Sequence, residues 1–339
     1  MKVLLWKIGA LGDVVMTTPL VRQLRRNLPD AQIDYLVGRS FRAVLDGNPH
    51  LDRVLDFDES VLFDGRLSAL GHIRARLRGY DAVYVLDKHW IFTWLALCAG
   101  IPRRIGFARR AVEGLPHTTR VHVGPLRHEV HYYLDLLEAE GLAVDRDDLA
   151  LELPPMQPFD LAGPYVVAVN AGGNNPGEAS AVRQMPEHLF GALVRQLASK
   201  ARVVFLGSQQ ERPYYESFAR AHSAFNLCGR TTLQQTWDVL ARADSVYTTD
   251  TGLMHMAAAV NSNVVAIFGP THPLRKCPVG ARWVWRAEHL YDHRYELYGR
   301  VPDGRFFDGM RPEDILNAGE RDISGAGASS WIPLHQRPT

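Results

Sequence analysis

Asp250, Thr251 and Gly252 form a turn fit to hold a diphosphate. Before them, Ser245 to Thr249 has the short β-branched character of a buried parallel strand. Thr251 to Val260 predicts a small-residue helix and Asn263 to Phe268 a second apolar strand. At the turn of such a β-α-β unit the first helical amides lack intrahelical partners and lie at the positive end of the helix dipole, so an anion is held there without any lysine. Gly252 lets a ligand approach the backbone closely. The plainer alternative makes Asp250 or Thr251 a helix cap and the glycine a tight turn. A second glycine-bearing loop, Gly9-Ala10-Leu11-Gly12-Asp13, leads from a strand predicted at Lys2 to Lys7 into a helix predicted from Val14 to Asn27, which puts the Asp13 carboxylate at a helix start. Gly9 and Gly12 free that loop for close approach, but their spacing lacks the G-x-G-x-x-G pattern of a dinucleotide site and speaks against a dehydrogenase.

The elements that must position these loops alternate. Strands are predicted at Ile33 to Val37, Arg53 to Phe57, Ala82 to Leu86 and Arg104 to Phe107, with helices near Phe41 to Asp46, Leu62 to Leu77, Trp90 to Ala99 and His131 to Glu140. Such alternation belongs to a parallel sheet covered on both faces. Between Leu153 and Pro164 four prolines make linker chemistry, which divides a first domain, residues 1–155, from a second, 156–318. The second series runs strand Tyr165 to Asn170, helix Pro186 to Ser199, strand Arg202 to Leu206, helix Arg212 to His222, strand Phe225 to Leu227 and helix Leu233 to Ala241, and then reaches the Asp250 turn. After Pro270 the rhythm fades; a last helix is predicted at Pro312 to Ala318, and the Gly- and Ser-bearing tail, 319–339, is expected to be mobile. Two doubly wound α/β domains in tandem leave a cleft between the carboxyl ends of their sheets, where ligands of open α/β sheets bind. The Asp250 turn supplies one wall and the Gly9 to Asp13 loop the other.

Composition narrows the classes further. A chain of 339 residues, 46% apolar and 22% charged, suits a soluble protein of two domains, and a formal charge of +1 sets up no overall field to recruit nucleic acid or an anionic membrane. Three cysteines, Cys98, Cys228 and Cys277, are far apart, odd in number and not in a metal spacing, which fits a reducing compartment. Lys7 and Asp13 interrupt any signal peptide, and the longest nearly apolar run, Trp90 to Ile101, falls short of the ~20 residues of a membrane span. A cytoplasmic protein is expected, with any attachment to the inner face of the inner membrane peripheral. His117, His122, His128 and His131 crowd one region, but their spacing matches no zinc pattern and no metal site is expected.

Several motifs together resemble glycosyltransferase family 9, the ADP-heptose-dependent heptosyltransferases of lipopolysaccharide core assembly. They are K-I-G-A-L-G-D-V-V-M-T-T-P at Lys7 to Pro19, H-Y-Y-L-D-L-L at His131 to Leu137, L-C-G-R-T-T-L at Leu227 to Leu233, the run from Ala241 through D-T-G-L-M-H-M-A-A-A to F-G-P-T-H-P, and P-E-D-I-L at Pro312 to Leu316. They keep the family's order over most of the chain. The resemblance implies a GT-B architecture, two Rossmann-like domains facing across a cleft, the first for the acceptor and the second for the nucleotide sugar. It also implies inversion at the anomeric carbon without metal or cofactor, the nucleotide sugar being a co-substrate and a glycan or glycolipid the acceptor.

Transfer from a nucleotide diphosphate sugar needs a base for the acceptor hydroxyl and positive charge for the departing diphosphate. By resemblance Asp13 is the base; the alternative is that it only caps the following helix. The amides of Thr251, Gly252 and Leu253 would bind the diphosphate, Asp250 would orient sugar hydroxyls, and His255 falls on the same helix face. Where the family has K-R-W-P this chain has Arg183-Gln184-Met185-Pro186, so Arg183 is the expected cation, and Thr271 is a further donor-site candidate. Arg104 and Arg120, in a basic stretch with Arg103, Arg109, Arg110 and Arg127, are candidates for an anionic acceptor, against the plainer reading of a solvated rim. Two rivals remain: a GT-B transferase with another nucleotide sugar or a soluble acceptor, and a catalytically silent GT-B module that binds a nucleotide or glycan.

Overall fold

Apolar residues occupy consecutive positions in nearly every strand, which requires a sheet covered on both faces. The computed structural model has two. It describes residues 1–58, 75–110, 112–124, 126–172, 180–298, 300 and 304–319. In the first half run β1 (Lys2–Trp6), α1 (Leu11–Met16), α2 (Thr18–Asn27), β2 (Gln32–Gly38), β3 (Arg53–Phe57), β4 (Ala82–Val85), α3 (Trp90–Cys98), β5 (Arg103–Ala108), β6 (Thr119–His122) and α4 (Glu129–Glu138). The second half contains β7 (Tyr165–Val169), α5 (Glu187–Ala198), β8 (Arg202–Phe205), α6 (Arg212–His222), β9 (Phe225–Asn226), α7 (Leu233–Ala241), β10 (Ser245–Thr249), α8 (Gly252–Val260), β11 (Val264–Phe268), α9 (Pro273–Lys276), β12 (Arg282–Trp285), α10 (His293–Tyr298) and α11 (Pro312–Leu316).

The six-stranded sheets are ordered β3-β2-β1-β4-β5-β6 and β12-β11-β10-β7-β8-β9. Counted from the first strand of each half, this is one order, 3-2-1-4-5-6, used twice. All ten strand pairings are parallel. Alternation along each strand sorts side chains between layers. Val3 and Leu5 of β1 join Val167 and Val169 of β7 in one core that spans both halves, while Leu4 and Trp6 pack outward with Phe92, Leu95 and Ala96 of α3. Val166 and Ala168 face the other way, toward Phe190 and Val194 of α5.

Sequence and structure part company at several elements. The helix predicted from Val14 to Asn27 is two helices, because the Thr17 and Thr18 hydroxyls donate to the carbonyls of Val14 and Val15 and Pro19 has no amide to continue the ladder. Phe41 to Asp46 is a 3-10 turn over Arg39–Val44. The strands β6 and β12 and the helices α9 and α10 were not anticipated. The helix predicted at Leu62 to Leu77 lies mostly outside the described residues, as does the tail from 320 onward. Among the described residues no helix is long and apolar enough to cross a membrane.

Candidate functional site

In each sheet the strand order reverses direction between its first and fourth strands, and a crevice opens there at the carboxyl ends. In the first half those strands are β1 and β4, followed by Lys7 to Asp13 and by Asp87 and Lys88. In the second they are β7 and β10, followed by Asn170 and by Asp250 to Gly252. The two crevices meet. Gly12 of α1 lies so close to α8 that a β-carbon there would stand 2.5 Å from Cδ2 of His255, and one at Gly252 would stand 2.7 Å from the side chain of Leu11. Both glycines are therefore dictated by the opposite half of the molecule. Gly9 has a local reason instead, since its missing β-carbon leaves room for the Phe41 ring at 2.4 Å.

Asp13 sits in the first turn of α1, whose N-cap is Ala10, so the carboxylate does not cap the helix. It faces cations from both halves. Lys276 Nζ donates to its Oδ1 at 2.8 Å, and Lys7 Nζ stands 3.4 Å from Oδ2. Lys7 in turn binds Asp87 at 2.6 Å, and Asp87 also accepts the Ile8 amide at 2.8 Å. Beside them, Glu129, at the start of α4 and 2% exposed, pairs with Lys88, with Arg275 Nε at 3.2 Å and more distantly with Lys276 at 4.0 Å. Among the described residues three carboxylates and four cations make up this cluster, with one positive charge in excess. Burial works against the Asp13 and Glu129 carboxylates, but the surrounding ammonium and guanidinium charges outweigh it and hold both well below the usual carboxylate range. Burial takes the Lys88 ammonium down to about 8. Asp13 still keeps 27% of its side chain open to solvent, enough for a second molecule to reach it.

The facing tip of α8 has no charged group in its own first turn. Its N-cap, Thr251, makes no side-chain cap and no acid stands in its first turn, so the positive end of the dipole is not offset from within the helix. Asp250, 5% exposed, lies 3.8 Å from Arg183 Nε, and that nitrogen donates to the Tyr295 hydroxyl at 2.8 Å. Arg183 is thus beside Asp250, as a diphosphate cation at this turn requires, but it is held by an aromatic hydroxyl that sequence reading did not connect with it. His255 is 3% exposed and Thr271 2%; His255 Nδ1 and Thr271 Oγ1 have no hydrogen-bond partner among the described residues. Burial, with the Lys276 charge adding to it, pushes the His255 imidazole down to about 4, so it is neutral near pH 7. Leu253 packs at the edge of the shared core.

Two predicted residues are not brought to this place. Arg104, near the amino end of β5, gives its guanidinium to the carbonyls of Pro116, Ile101 and Pro102. Arg120 is exposed on the edge strand β6, level with Trp6 but three strands away, ~14 Å across the sheet. Half of the basic stretch is paired with acids, Arg103 with Glu140, Arg109 with Glu113 and Arg127 with Asp135, which favours the rim reading. Of the crowded histidines, His117 bonds Thr93 at 2.9 Å, and His128 caps α4 and bonds the Cys277 carbonyl at 2.9 Å, its ring edge to face with His131 at 6.4 Å.

Lys7, Asp87, Lys88, Glu129, Arg275 and Lys276 were missed. The local signal for several of them is position just past the end of an apolar strand, as for Asp87-Lys88 after Leu86 and Arg275-Lys276 after Phe268, the carboxyl edge where such sheets bind ligands. These residues connect the halves: Glu129 to Arg275, His128 to the Cys277 carbonyl, and Asp13 to Lys276.

Comparison with known proteins gives the family and the fold. The profile of glycosyltransferase family 9 (heptosyltransferase) matches residues 71–294. Lipopolysaccharide heptosyltransferase 2 of Escherichia coli K12 is 28% identical over 295 residues, covering 80% of this chain and 84% of its own. Lipopolysaccharide heptosyltransferase 1 of Pseudomonas aeruginosa is 26% identical over 289 residues, 80% of each. Among solved structures, the E. coli ADP-heptose lipopolysaccharide heptosyltransferase II superposes with a TM-score of 0.69 at 23% identity over 93% of this chain and 96% of that one. A family 9 glycosyltransferase from Veillonella parvula gives 0.73 at 18% identity over 94% and 95%. The two parallel sheets are the paired Rossmann-like domains of the GT-B fold, and the chain belongs to glycosyltransferase family 9.

Proposed function

We propose that the protein is an inverting heptosyltransferase that moves heptose from ADP-heptose to a hydroxyl of the lipopolysaccharide inner core, acting at the cytoplasmic face of the inner membrane. One observation carries this reading: the turn of α1 that holds Asp13 and the acid-free first turn of α8 are in contact across the junction of the two halves. In the reaction Asp13 takes the proton of the acceptor hydroxyl, whose oxygen attacks the anomeric carbon from the face opposite the diphosphate. The carbon–oxygen bond to the diphosphate breaks, and its electron pair leaves with the phosphate oxygen. The amides of Thr251, Gly252 and Leu253 and the Arg183 guanidinium meet the growing negative charge, and Asp250 orients sugar hydroxyls.

A titration series with ADP, GDP, UDP and their sugars, read by thermal stability, tests the donor. A ligand at 100 times its dissociation constant stabilises by about 2.7 kcal/mol, so ADP-heptose is expected to stand apart. A response to UDP-sugars alone overturns the ADP-heptose assignment. One observation favours such an alternative donor, namely Arg183 tied to Tyr295 where the family pattern carries a lysine.

A further inference from the structure

Lys276 stands at the end of α9 and reaches across the junction to Asp13, a contact between residues 263 apart in the chain. Its side chain is only 20% exposed, and a second carboxylate neighbour, Glu129, is already engaged by Lys88 and Arg275. The backbone that carries it leaves the carboxyl end of β11, the strand beside β10, so α9 emerges next to the Asp250 turn. Asp13 is the immediate neighbour of Gly12, which touches His255 on α8. The ammonium therefore lies at the junction, on the acceptor-side carboxylate and near enough to α8 for its charge to act on the His255 ring. A carboxylate that holds a lysine at 2.8 Å and a second at 3.4 Å is a weak base, because both cations stabilise the form without the proton.

We propose that Lys276 is shared between Asp13 and the donor's diphosphate, so that Asp13 becomes a competent base only when a donor is in place. Without donor, Lys276 neutralises Asp13. When the diphosphate binds at α8, Lys276 turns its N–H groups to the phosphate oxygens and releases Oδ1, while Lys7 stays at Oδ2. The freed oxygen then takes the acceptor proton, and as the bond to the anomeric carbon breaks, the electron pair moves onto the phosphate oxygen that Lys276 now faces. The excess positive charge of the cluster fits the arrival of an anion. This inference rests on the proposed function, since it takes the diphosphate to bind at α8.

A double-mutant cycle on ADP affinity, measured by calorimetry on the full chain, tests it. Lys276→Met is expected to weaken ADP at least tenfold, and Lys276→Arg to stay within a few-fold of the parent. Asp13→Asn is expected to tighten ADP several-fold, because Lys276 no longer has to leave a partner. In Lys276→Met the same Asp13 substitution should change nothing. Equal tightening in both backgrounds would mean that Asp13 merely repels the phosphates, and it overturns the proposal, as does unchanged affinity in Lys276→Met. Should Lys276→Met fail to fold, Lys276→Gln takes its place in the cycle with the same expected and overturning results, and unchanged ADP affinity in Asp13→Asn contradicts sharing in any case. If the parent binds GDP or UDP instead of ADP, the cycle is run with that nucleotide and only the donor assignment falls. If it binds none, both readings fall.

Discussion

The two halves of the molecule use one strand order and put opposite chemistry at the point where it reverses. In the first half that point is ionised: Lys7, Asp13, Asp87 and Lys88 stand there, with Glu129 against them. In the second a single ion pair, Asp250 with Arg183 at 3.8 Å, stands among neutral groups of the described residues. Asn170 exchanges hydrogen bonds with the backbone of Met185 at 3.0 and 2.7 Å, and Thr249 with that of Ala171 at 2.6 and 3.0 Å, leaving α8 with an acid-free first turn. The helix leaving the switch point carries its own carboxylate in α1 and none in α8. The comparison teaches that the topology fixes where a ligand is met, whereas the residues at the strand ends decide whether a proton or an anion is handled there.

The largest effect should come from breaking the ionised side. Asp13→Asn is expected to lower kcat about 10²–10⁴-fold without weakening the donor, checked by steady-state kinetics beside donor titration. Retention of most activity would remove Asp13 from its role. Glu129→Gln should lower stability in urea by about 3–5 kcal/mol, because it leaves buried Arg275 and half-buried Lys88 without their carboxylate. A loss below 1 kcal/mol would show that this network is not integral to the junction.

The neutral side has its own signature in pH. With a folded pKa of about 4 against an ordinary 6.5, His255 is kept neutral by the fold. The unfolded chain takes up its proton first, so the contribution is complete above about pH 6.5 and is lost as pH falls toward 4, roughly 3 kcal/mol in all. His255→Gln should flatten the stability profile over that window, and an unchanged slope would contradict the assignment. Smallest is Gly12→Ala. Its β-carbon would press on the His255 ring at 2.5 Å and should cost about 1–3 kcal/mol, visible as a lower thermal midpoint. An unchanged midpoint would mean that the halves can part there freely.

Much of the frame was legible because its signals are local. Runs such as Val3 to Trp6 and Val264 to Phe268 announce buried parallel strands, and Gly252 and Asp13 mark the two turns. Beyond Pro270, Pro273, Pro278 and Gly280 cut the chain into pieces too short for periodicity to show, which hid α9 and the Arg282–Trp285 strand. The break at Thr17 was hidden for another reason: apolar spacing runs on through Leu20 and Leu24, while the cause lies in two hydroxyls turned onto the preceding helical carbonyls. The ionic cluster was least visible. Glu129 and Arg275 stand 146 positions apart, and nothing near either names the other. Only the fold brings them to one edge.

Hydrogen–deuterium exchange of the full chain with and without saturating ADP tests most directly which half holds the anion. The account predicts slowed exchange centred on the amides of Gly252 and Leu253 at the tip of α8. Slowed exchange confined to the Ile8 to Gly12 turn, with 250–254 unchanged, would contradict it.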